Sequence, residues 1–391
     1  MKKLISLTLA AAMTMSLLAG CGSNGSAGTD SADASAETFK IGGIGPITGA
    51  GAVYGIAVKN GAELAIKEIN EAGGINGYQI EYNFQDDELD NEKSVNAYNT
   101  LKDWGMNMLV GSVTSGCCVA VAAESKNDNM FQITPSGSSV DCIEGNDNVF
   151  QVCFTDPNQG VGAADYIGEN SLASKVAVIY DSSDVYSSGI YAKFKEEAAT
   201  QNFEIVSEEA FTADNKTDFS VQLAKAQEAG AELVFLPIYY TEASLILKQA
   251  DSMGYAPKFF GCDGLDGILG VENFDTSLAE GVMLLTPFAA DAQDDLTKKF
   301  VSAYETAYND TPNQFAADAY DAVYAIKAAA EKGDVAPSDG VSGICDKMKA
   351  AMQEITVDGL TGEGMNWAAD GTVNKAPKAM EIKNGAYALV Q

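Results

Sequence analysis

The sequence predicts an α/β protein in which two doubly wound parallel-sheet lobes are joined by a three-segment hinge. Short apolar runs alternate with segments of helical period along the chain after the first 38 residues. Such alternation produces parallel sheets that helices cover on both faces. About 350 residues follow this point, which is enough for two ordinary domains and too long a series for one sheet.

The strand-like runs fall into two sets, one for each predicted sheet. The first set comprises Phe39–Gly45, Ile80–Gln85, Met108–Gly111 and Phe131–Thr134. The second set comprises Lys175–Tyr180, Glu204–Phe211, Leu233–Pro237, Phe259–Cys262 and Val282–Leu285.

Helices are predicted between these strands. The segment Val53–Ala72 repeats apolar residues at i, i+3, i+4 and i+7 from Ala62 onward and stops at Gly73, a residue that favours helix ends. Asp90 is a favourable N-cap for a helix that runs to Trp104. The other predicted helices are Tyr186–Asn202, Thr217–Ala229, Thr241–Met253, Leu296–Tyr308 and Phe315–Lys332.

Three breaks in the pattern predict where the chain crosses between the lobes. Two contain proline, Thr155-Asp156-Pro157 and Leu285-Thr286-Pro287, and the third is the glycine-rich Gly359–Gly364. Lobe 1 is then residues 39–156 plus 287–362, and lobe 2 is residues 157–286 plus 363–391. A binding cleft is expected between the lobes, at the carboxyl ends of the strands.

The amino terminus has the features of an export signal. Lys2 and Lys3 precede an apolar run, Leu4–Leu18, that is shorter than the roughly 20 residues of a membrane span. The run ends in Leu17-Leu18-Ala19-Gly20-Cys21, which resembles the lipobox of bacterial lipoproteins. The resemblance implies that residues 1–20 are a signal peptide and that Cys21 carries lipid.

A secretory signal without lipid is the alternative explanation of this terminus. Residues 21–38 are rich in Gly, Ser, Ala and Asp and form a flexible tether in the lipoprotein interpretation. We therefore expect the folded part to lie on the extracytoplasmic face of the cell membrane, anchored through lipid alone.

Composition excludes several functions. The chain contains no histidine, and all 24 basic residues are lysines because no arginine occurs. A Ser-His-Asp or Cys-His catalytic unit is therefore impossible, and a ligand carboxylate must be held by lysine or by neutral donors. The net charge of −31 argues against nucleic-acid binding. We expect no enzymatic activity, no metal and no cofactor.

Six cysteines remain besides Cys21, and none are spaced as CxxC. Cys142 and Cys153 could close a short disulfide loop, but buried free thiols are an equal alternative.

Two motifs suggest ligands that we reject. Gly43–Gly55 is glycine-rich after a strand, but its spacing departs from the dinucleotide-binding pattern. Asp86–Asp90 is acidic but lacks the spacing of a calcium loop, and a turn capped by Asp90 explains it.

Polar groups at other strand ends are better candidates. Gly111–Gly116 follows a strand and opens a helix, so its hydroxyls and N–H groups make an anion site, and Thr134–Ser139 has the same character. In the second half, Tyr186, Tyr239 and Asp263 follow strands. Each could instead be an ordinary cap, core tyrosine or turn residue.

The order of these motifs closely resembles the branched-chain amino acid binding proteins of ABC uptake systems, which have a type I periplasmic binding-protein fold. The resemblance runs from about Phe39 to Gln391. It rests on Ile44-Gly45-Pro46-Ile47-Thr48-Gly49, Glu68–Gly77, Val110-Gly111-Ser112, Ile133-Thr134-Pro135, Tyr186-Ser187-Ser188-Gly189 and Gly364-Met365-Asn366-Trp367.

The resemblance implies a set of ligand-binding residues. Ser115 and Ser138 would bind an α-carboxylate, while the Gly137 carbonyl and Asp263 would bind an α-ammonium. Side-chain contacts would come from Tyr54, Tyr186 and Tyr239, with Tyr240 as the alternative to Tyr239.

The sequence departs from the family pattern at two places near the cleft, Gly116-Cys117-Cys118 and Cys262. The resemblance therefore defines the preferred side chain of the ligand less closely than it defines the α-amino acid class.

The resemblance implies a monomeric, lipid-anchored receptor that captures a free amino acid, branched-chain or aliphatic, and delivers it to the permease subunits of an ABC importer. The alternative within binding proteins is a sensor for another amino acid, an amide or a small carboxylate.

Overall fold

The computed structural model describes residues 37–390, in which twelve strands form two separate sheets. The strands are β1 (Phe39–Gly45), β2 (Ile80–Asp86), β3 (Met108–Gly111), β4 (Phe131–Thr134), β5 (Val149–Gln151), β6 (Lys175–Asp181), β7 (Glu204–Phe211), β8 (Leu233–Leu236), β9 (Lys258–Gly261), β10 (Met283–Thr286), β11 (Lys378–Lys383) and β12 (Ala386–Leu389). The predicted signal peptide and Cys21 lie outside the described residues.

Ten α-helices separate these strands in the described range. They are α1 (Ala52–Glu71), α2 (Asn91–Trp104), α3 (Ser115–Asn127), α4 (Asp156–Glu169), α5 (Val185–Ala198), α6 (Ser220–Glu228), α7 (Tyr240–Ser252), α8 (Asp295–Tyr308), α9 (Gln314–Lys332) and α10 (Gly340–Met352). Among the described residues, none of these helices has the length and apolar character needed to cross a membrane.

Local signals explain several helix boundaries. The Asp90 side chain accepts a hydrogen bond from Lys93 N and caps α2, as predicted. The apolar positions predicted for α1, including Ala62 and Ile69, are buried. Helix α1 packs against α9. The apolar face predicted for α1 therefore contacts a helix that is distant along the chain.

The first sheet has the order β2-β1-β3-β4-β5, and its strand pairs are all parallel. The chain reverses its direction of sheet growth beside β1, which is the position where ligands bind in open parallel sheets. The loops after β3 and β4 therefore lie at a favourable edge.

The second sheet repeats this arrangement and extends it. Strands β7-β6-β8-β9-β10 pair in parallel, and β11 and β12 then add as antiparallel strands beside β10. Asn384 and Gly385 connect β11 to β12 with φ values of 54° and 73°. Both values lie in the left-handed region that two-residue hairpin turns require.

The predicted strands are all present, each within one residue of its predicted end. Three strands were missed. Strand β5 has only three residues, too few for a periodic signal. The hairpin β11–β12 was overlooked although Asn384-Gly385 is a strong turn signal, so the second sheet is mixed rather than wholly parallel.

Two hydrogen bonds near the carboxyl terminus bear on the third predicted crossing between the lobes. Trp367 donates from its indole N–H to the Gln151 carbonyl at 2.8 Å, and Gln151 N donates to the Gly371 carbonyl at 2.9 Å. These bonds attach the segment after 363 to the edge of the first sheet. They favour a third crossing just before β11 rather than at Gly359–Gly364, and the bounds themselves remain a prediction.

Candidate functional site

A small cavity lies where the carboxyl ends of the two sheets face each other. It is lined by Tyr54, Val113, Thr114, Ser115, Ser136, Tyr186, Tyr239, Asp263, Gly264 and Phe315. Its volume is about 10 Å³, which is barely enough space for one water molecule. An amino acid can therefore enter only when the walls separate.

The first wall is formed by neutral donors at the start of α3. Ser115 is the first residue of this helix, and its Oγ accepts a hydrogen bond from Ser139 N at 3.1 Å. The neighbouring Thr114 hydroxyl is buried without a hydrogen-bond partner. Free hydroxyls beside a helix N-terminus favour an anionic ligand group.

The loop after β4 contributes a different residue from the one predicted. Gly137 does not line the cavity, and its carbonyl accepts a bond from the Gln151 side chain at 2.7 Å. Ser136 lines the cavity in its place. Ser138 also lies behind the lining, fully buried, with a hydroxyl that has no partner.

Asp263 provides the charged group of the second wall. Its Oδ1 accepts from the Tyr186 hydroxyl at 2.6 Å, and its Oδ2 accepts from the Gln159 side chain at 3.0 Å. Burial raises the pKa of Asp263 to about 7, although both bonds oppose the shift. A cation placed beside this carboxylate would favour its charged form.

The residue after Asp263 must be small. A Cβ atom on Gly264 would lie 2.6 Å from the Tyr186 hydroxyl and 2.7 Å from the Ile238 carbonyl oxygen. Glycine therefore allows the strand end to approach Tyr186 closely enough for the Asp263 hydrogen bond.

Tyrosines fill the space between the walls. Tyr186 and Tyr239 stack with ring centroids 4.9 Å apart, and Tyr54 meets Tyr239 edge-on at 5.7 Å. Of the two adjacent tyrosines, Tyr239 lines the cavity, whereas the Tyr240 hydroxyl accepts from Val53 N at 3.2 Å.

Several hydrogen bonds join the two lobes around the cavity. The Tyr54 hydroxyl donates to the Gly264 carbonyl and accepts from Tyr240 N. Thr241 Oγ1 donates to the Ala50 carbonyl at 2.8 Å. These bonds identify the structure as a closed conformation.

Five of the seven predicted binding residues thus line the cavity: Tyr54, Ser115, Tyr186, Tyr239 and Asp263. The cavity is also lined by residues that were not predicted to bind the ligand: Val113, Thr114, Ser136, Gly264 and Phe315. Thr114 and Ser136 lie inside the two polar segments predicted as anion sites, Gly111–Gly116 and Thr134–Ser139, so the sequence carried a signal for both residues.

Asp156 is a further buried carboxyl group, in a segment that the sequence marks only as a break between the lobes. It is 1% exposed, and neither of its carboxylate oxygens has a hydrogen-bond partner. Burial raises its pKa well above the ordinary value. No sequence signal marks a buried position at the start of α4.

The described residues contain no cluster of three side chains that could hold a metal ion. Cys117, Cys118, Cys142, Cys153, Cys262 and Cys345 are all buried free thiols. Burial raises the pKa of Cys142 and of Cys153, which makes both thiols poor nucleophiles.

Comparisons with known proteins agree with this geometry. A family model described as periplasmic binding protein matches residues 38–386. The Leu/Ile/Val-binding protein homolog 3 of Brucella melitensis is 33% identical over 308 residues, which cover 77% of this chain and 81% of that protein. The leucine-, isoleucine-, valine-, threonine-, and alanine-binding protein of Pseudomonas aeruginosa is 30% identical, with coverage of 81% and 84%.

Among solved structures, the branched-chain amino acid transporter substrate binding protein LivJ from Streptococcus pneumoniae, in complex with isoleucine, superimposes with a TM-score of 0.81. It is 31% identical, and the match covers 90% of this chain and 97% of that chain. The predicted fold and the predicted resemblance are both confirmed. This chain belongs to the periplasmic binding protein family.

Proposed function

We propose that this protein captures a free α-amino acid with a branched or other aliphatic side chain and presents it to the permease of an ABC importer. The protein acts by binding alone, as a monomer, and makes or breaks no covalent bond. Relatives named for leucine, isoleucine and valine support the ligand class.

The observation that carries the proposal is the opposite chemistry of the two walls. Thr114 and Ser115 offer hydroxyls and a helix N-terminus, whereas Asp263 offers a buried carboxylate. A zwitterionic amino acid satisfies both walls at once, since its carboxylate meets the donors and its ammonium meets Asp263. A simple carboxylic acid would leave Asp263 unpaired, which is costly in a closed site.

The remaining lining suits an apolar ligand side chain. Tyr54, Tyr186, Tyr239 and Phe315 present ring surfaces, and Val113 adds an aliphatic one. Ligand contacts to both lobes then stabilise the closed conformation, so capture is coupled to a hinge motion.

A thermal-shift screen of the purified protein against the twenty amino acids tests the proposal, because a ligand raises the melting temperature by mass action. Leucine, isoleucine or valine should give the largest rise, and their des-amino analogues should give little. A screen in which no amino acid shifts the melting temperature would refute the proposed function.

Membrane attachment is a second part of the proposal. We propose that Cys21 is lipidated, because it follows Leu17-Leu18-Ala19-Gly20 and precedes a segment rich in Gly, Ser, Ala and Asp. Cys21→Ser should release the protein from the membrane fraction or leave its precursor uncleaved, as fractionation and immunoblotting would reveal. Ser23→Ala is the matched control. A processed, membrane-bound Cys21→Ser protein would exclude this anchor.

A further inference from the structure

Two side chains from helices on the second sheet hold Asp263, and one of them lies outside the amino acid cavity. Gln159 of α4 is fully buried and is not part of the cavity lining. Its Nε2 donates to Asp263 Oδ2 at 3.0 Å, and its Oε1 accepts from Asp263 N at 3.1 Å. The amide of Gln159 therefore bonds both the carboxylate and the backbone of one residue, which restricts the rotamers of Asp263.

The orientation of the Gln159 amide follows from its two partners. A backbone N–H can only donate and an ionised carboxylate can only accept, so Oε1 faces Asp263 N and Nε2 faces Oδ2. Tyr186 repeats the arrangement at the other carboxylate oxygen. Its hydroxyl donates to Asp263 Oδ1 at 2.6 Å and accepts from Gly264 N at 2.9 Å. Each carboxylate oxygen thus accepts one bond from the protein and keeps a lone pair for an ammonium.

Close packing of α4 on α5 brings Gln159 and Tyr186 to the same carboxylate. A Cβ atom on Gly160 would lie 2.5 Å from the Ile190 carbonyl oxygen, so glycine is needed where the two helices meet. Both helices pack on the second sheet, and Asp263 follows strand β9 of that sheet. Because these contacts join elements of one sheet, we expect the arrangement to persist when the cleft opens.

Other titratable groups surround Asp263 on several elements. They are Tyr54 of α1, Cys153 after β5, Asp156 of α4, Tyr186 of α5, Cys262 after β9 and Asp318 of α9. Burial raises the pKa of the thiols, of the tyrosine hydroxyls and of Asp156 well above the ordinary values, which favours their neutral forms. Asp318 is paired with Lys375 at 2.8 Å.

The neutral donors therefore oppose the effect of burial on Asp263. Burial raises the pKa of Asp263, and the hydrogen bonds from Tyr186 and Gln159 lower it. Tyr186 also lines the cavity, so its replacement would change the contacts of the ligand. Gln159 lies behind the carboxylate, and its replacement changes Asp263 alone.

We propose that Gln159 is a positioning residue of the ammonium site, which keeps Asp263 ionised and oriented and so makes the protein select α-amino acids over carboxylates that lack the amino group. The residue acts through Asp263 and does not touch the ligand. The hydrogen-bond donor of its amide carries the effect, rather than the size of its side chain. This role deepens the proposed function and rests on it.

The titration of Asp263 in the ligand-free protein tests this role without any amino acid. Carbon-13 NMR of protein labelled at the aspartate carboxyl groups follows the titration, and Asp263→Asn identifies the resonance. Gln159→Met removes both hydrogen bonds at similar volume and should raise the midpoint by at least about half a pH unit. Equal midpoints in Gln159→Met and the parent would refute the proposal.

A matched control and a second variant accompany this measurement. Gln249 of α7 also bonds through both ends of its amide, to Phe219 N and to the Thr217 carbonyl, and Gln249→Met should leave the midpoint unchanged. Gln159→Asn keeps a polar amide and serves if Gln159→Met does not fold. Its side chain is one methylene shorter and cannot bond Asp263 N and Oδ2 together, so the midpoint should again rise. An unchanged midpoint in Gln159→Asn would overturn the proposal.

Amino acid binding provides the second readout. By calorimetry, Gln159→Met should weaken binding of the best amino acid at least about threefold at pH 7 and by less at pH 8.5, where Asp263 is more fully ionised in both proteins. The affinity for the des-amino analogue should not fall, so the discrimination between the two ligands narrows. A loss of equal size at both pH values and for both ligands would indicate a merely structural role and refute the proposal.

A double-mutant cycle determines whether Gln159 acts through Asp263. In the Asp263→Asn protein, the further change Gln159→Met should alter amino acid affinity by less than about twofold, because the ammonium has already lost its charged partner. Additive losses would contradict the proposal. A parent protein that binds no amino acid would refute the proposed function, whereas the NMR midpoints would still decide whether Gln159 controls Asp263.

Discussion

The two lobes are built on the same strand order and differ in the side chains placed just beyond the strand ends. The order β2-β1-β3-β4-β5 of the first sheet corresponds to β7-β6-β8-β9-β10 in the second. After the third strand of each series, the first lobe places Ser115 and the second places Tyr239. After the fourth strand, the first lobe places Ser136 and the second places Asp263.

This difference separates the contribution of topology from that of the side chains. Equivalent strand ends deliver residues to the same cavity from opposite sides, whatever those residues are. The side chains then make one wall a set of neutral donors and the other a buried acceptor. Helices α1 and α5, which follow β1 and β6, each supply a tyrosine to the cavity, Tyr54 and Tyr186. The lobes are therefore similar in position and complementary in charge.

Removing the charge of the second wall should have the largest effect. Truncating one side of a buried charge pair costs roughly 2–5 kcal/mol, so Asp263→Ala should weaken amino acid binding at least about thirtyfold by calorimetry. Asp263→Asn should bind the amino acid almost as weakly. The des-amino analogue should lose less affinity on mutation of Asp263 than the amino acid does. The control Asp321→Asn alters a buried carboxylate that bonds Leu360 N and Thr361 N away from the cavity, so its affinity should be unchanged. Binding of Asp263→Ala within twofold of the parent would refute the ammonium assignment.

Removing a donor of the first wall should have a smaller effect. A hydrogen bond to a charged group contributes roughly 1.5–3 kcal/mol, so Ser115→Ala should weaken binding by about tenfold or more. Ser125→Ala is the control, because this buried serine lies toward the other end of α3 and bonds Gln132. Equal affinities for both variants would show that the first wall does not hold the carboxylate.

The pH dependence of amino acid binding should distinguish the two walls, since only the second wall contains a carboxyl group that titrates near neutrality. The pKa of Asp263 is raised to about 7 from 3.8, so the free protein protonates it as pH falls below 7. The ammonium then loses its partner, and affinity should fall about fivefold from pH 7 to pH 6. The same group lowers the free energy of unfolding as pH rises from about 4 to 7, because the folded state retains the proton. Calorimetry across this range should give a flat profile for Asp263→Asn, and a flat parent profile would contradict the assignment.

Weakening the contact between the lobes outside the cavity should have the smallest effect. Tyr240→Phe removes the acceptor of the Val53 N bond, which joins the two lobes in this structure. One neutral hydrogen bond is worth about 1 kcal/mol, so affinity should fall about fivefold at most, mainly through faster ligand release in stopped-flow measurements. Tyr255→Phe removes a buried hydroxyl bonded to the Ala231 carbonyl within the second lobe and serves as the control. Identical release rates would indicate that this bond does not stabilise closure.

The sequence predicted the architecture well because its local signals were strong. Long apolar stripes and caps such as Asp90 mark the helices, and buried β-rich runs mark the strands. Strand β5 was missed because Val149–Gln151 is held by neighbours rather than by its own pattern. The attachment of Trp367 to the edge of the first sheet was not predicted, since it depends on a bond to Gln151, which is 216 positions away.

The sequence by itself determined the order of elements and the permitted chemistry. A chain without arginine or histidine must hold a carboxylate with lysine or neutral donors, and the family resemblance selected Ser115 and Asp263 among the polar strand ends. Only the tertiary structure decided that Tyr239 rather than Tyr240 faces the cavity, that Ser136 replaces Gly137, and that Asp156 is buried without a partner. The physical reason is that local periodicity fixes which face of an element is apolar. The direction of a side chain at a strand end depends instead on packing between segments far apart in sequence, such as Tyr54 against Gly264.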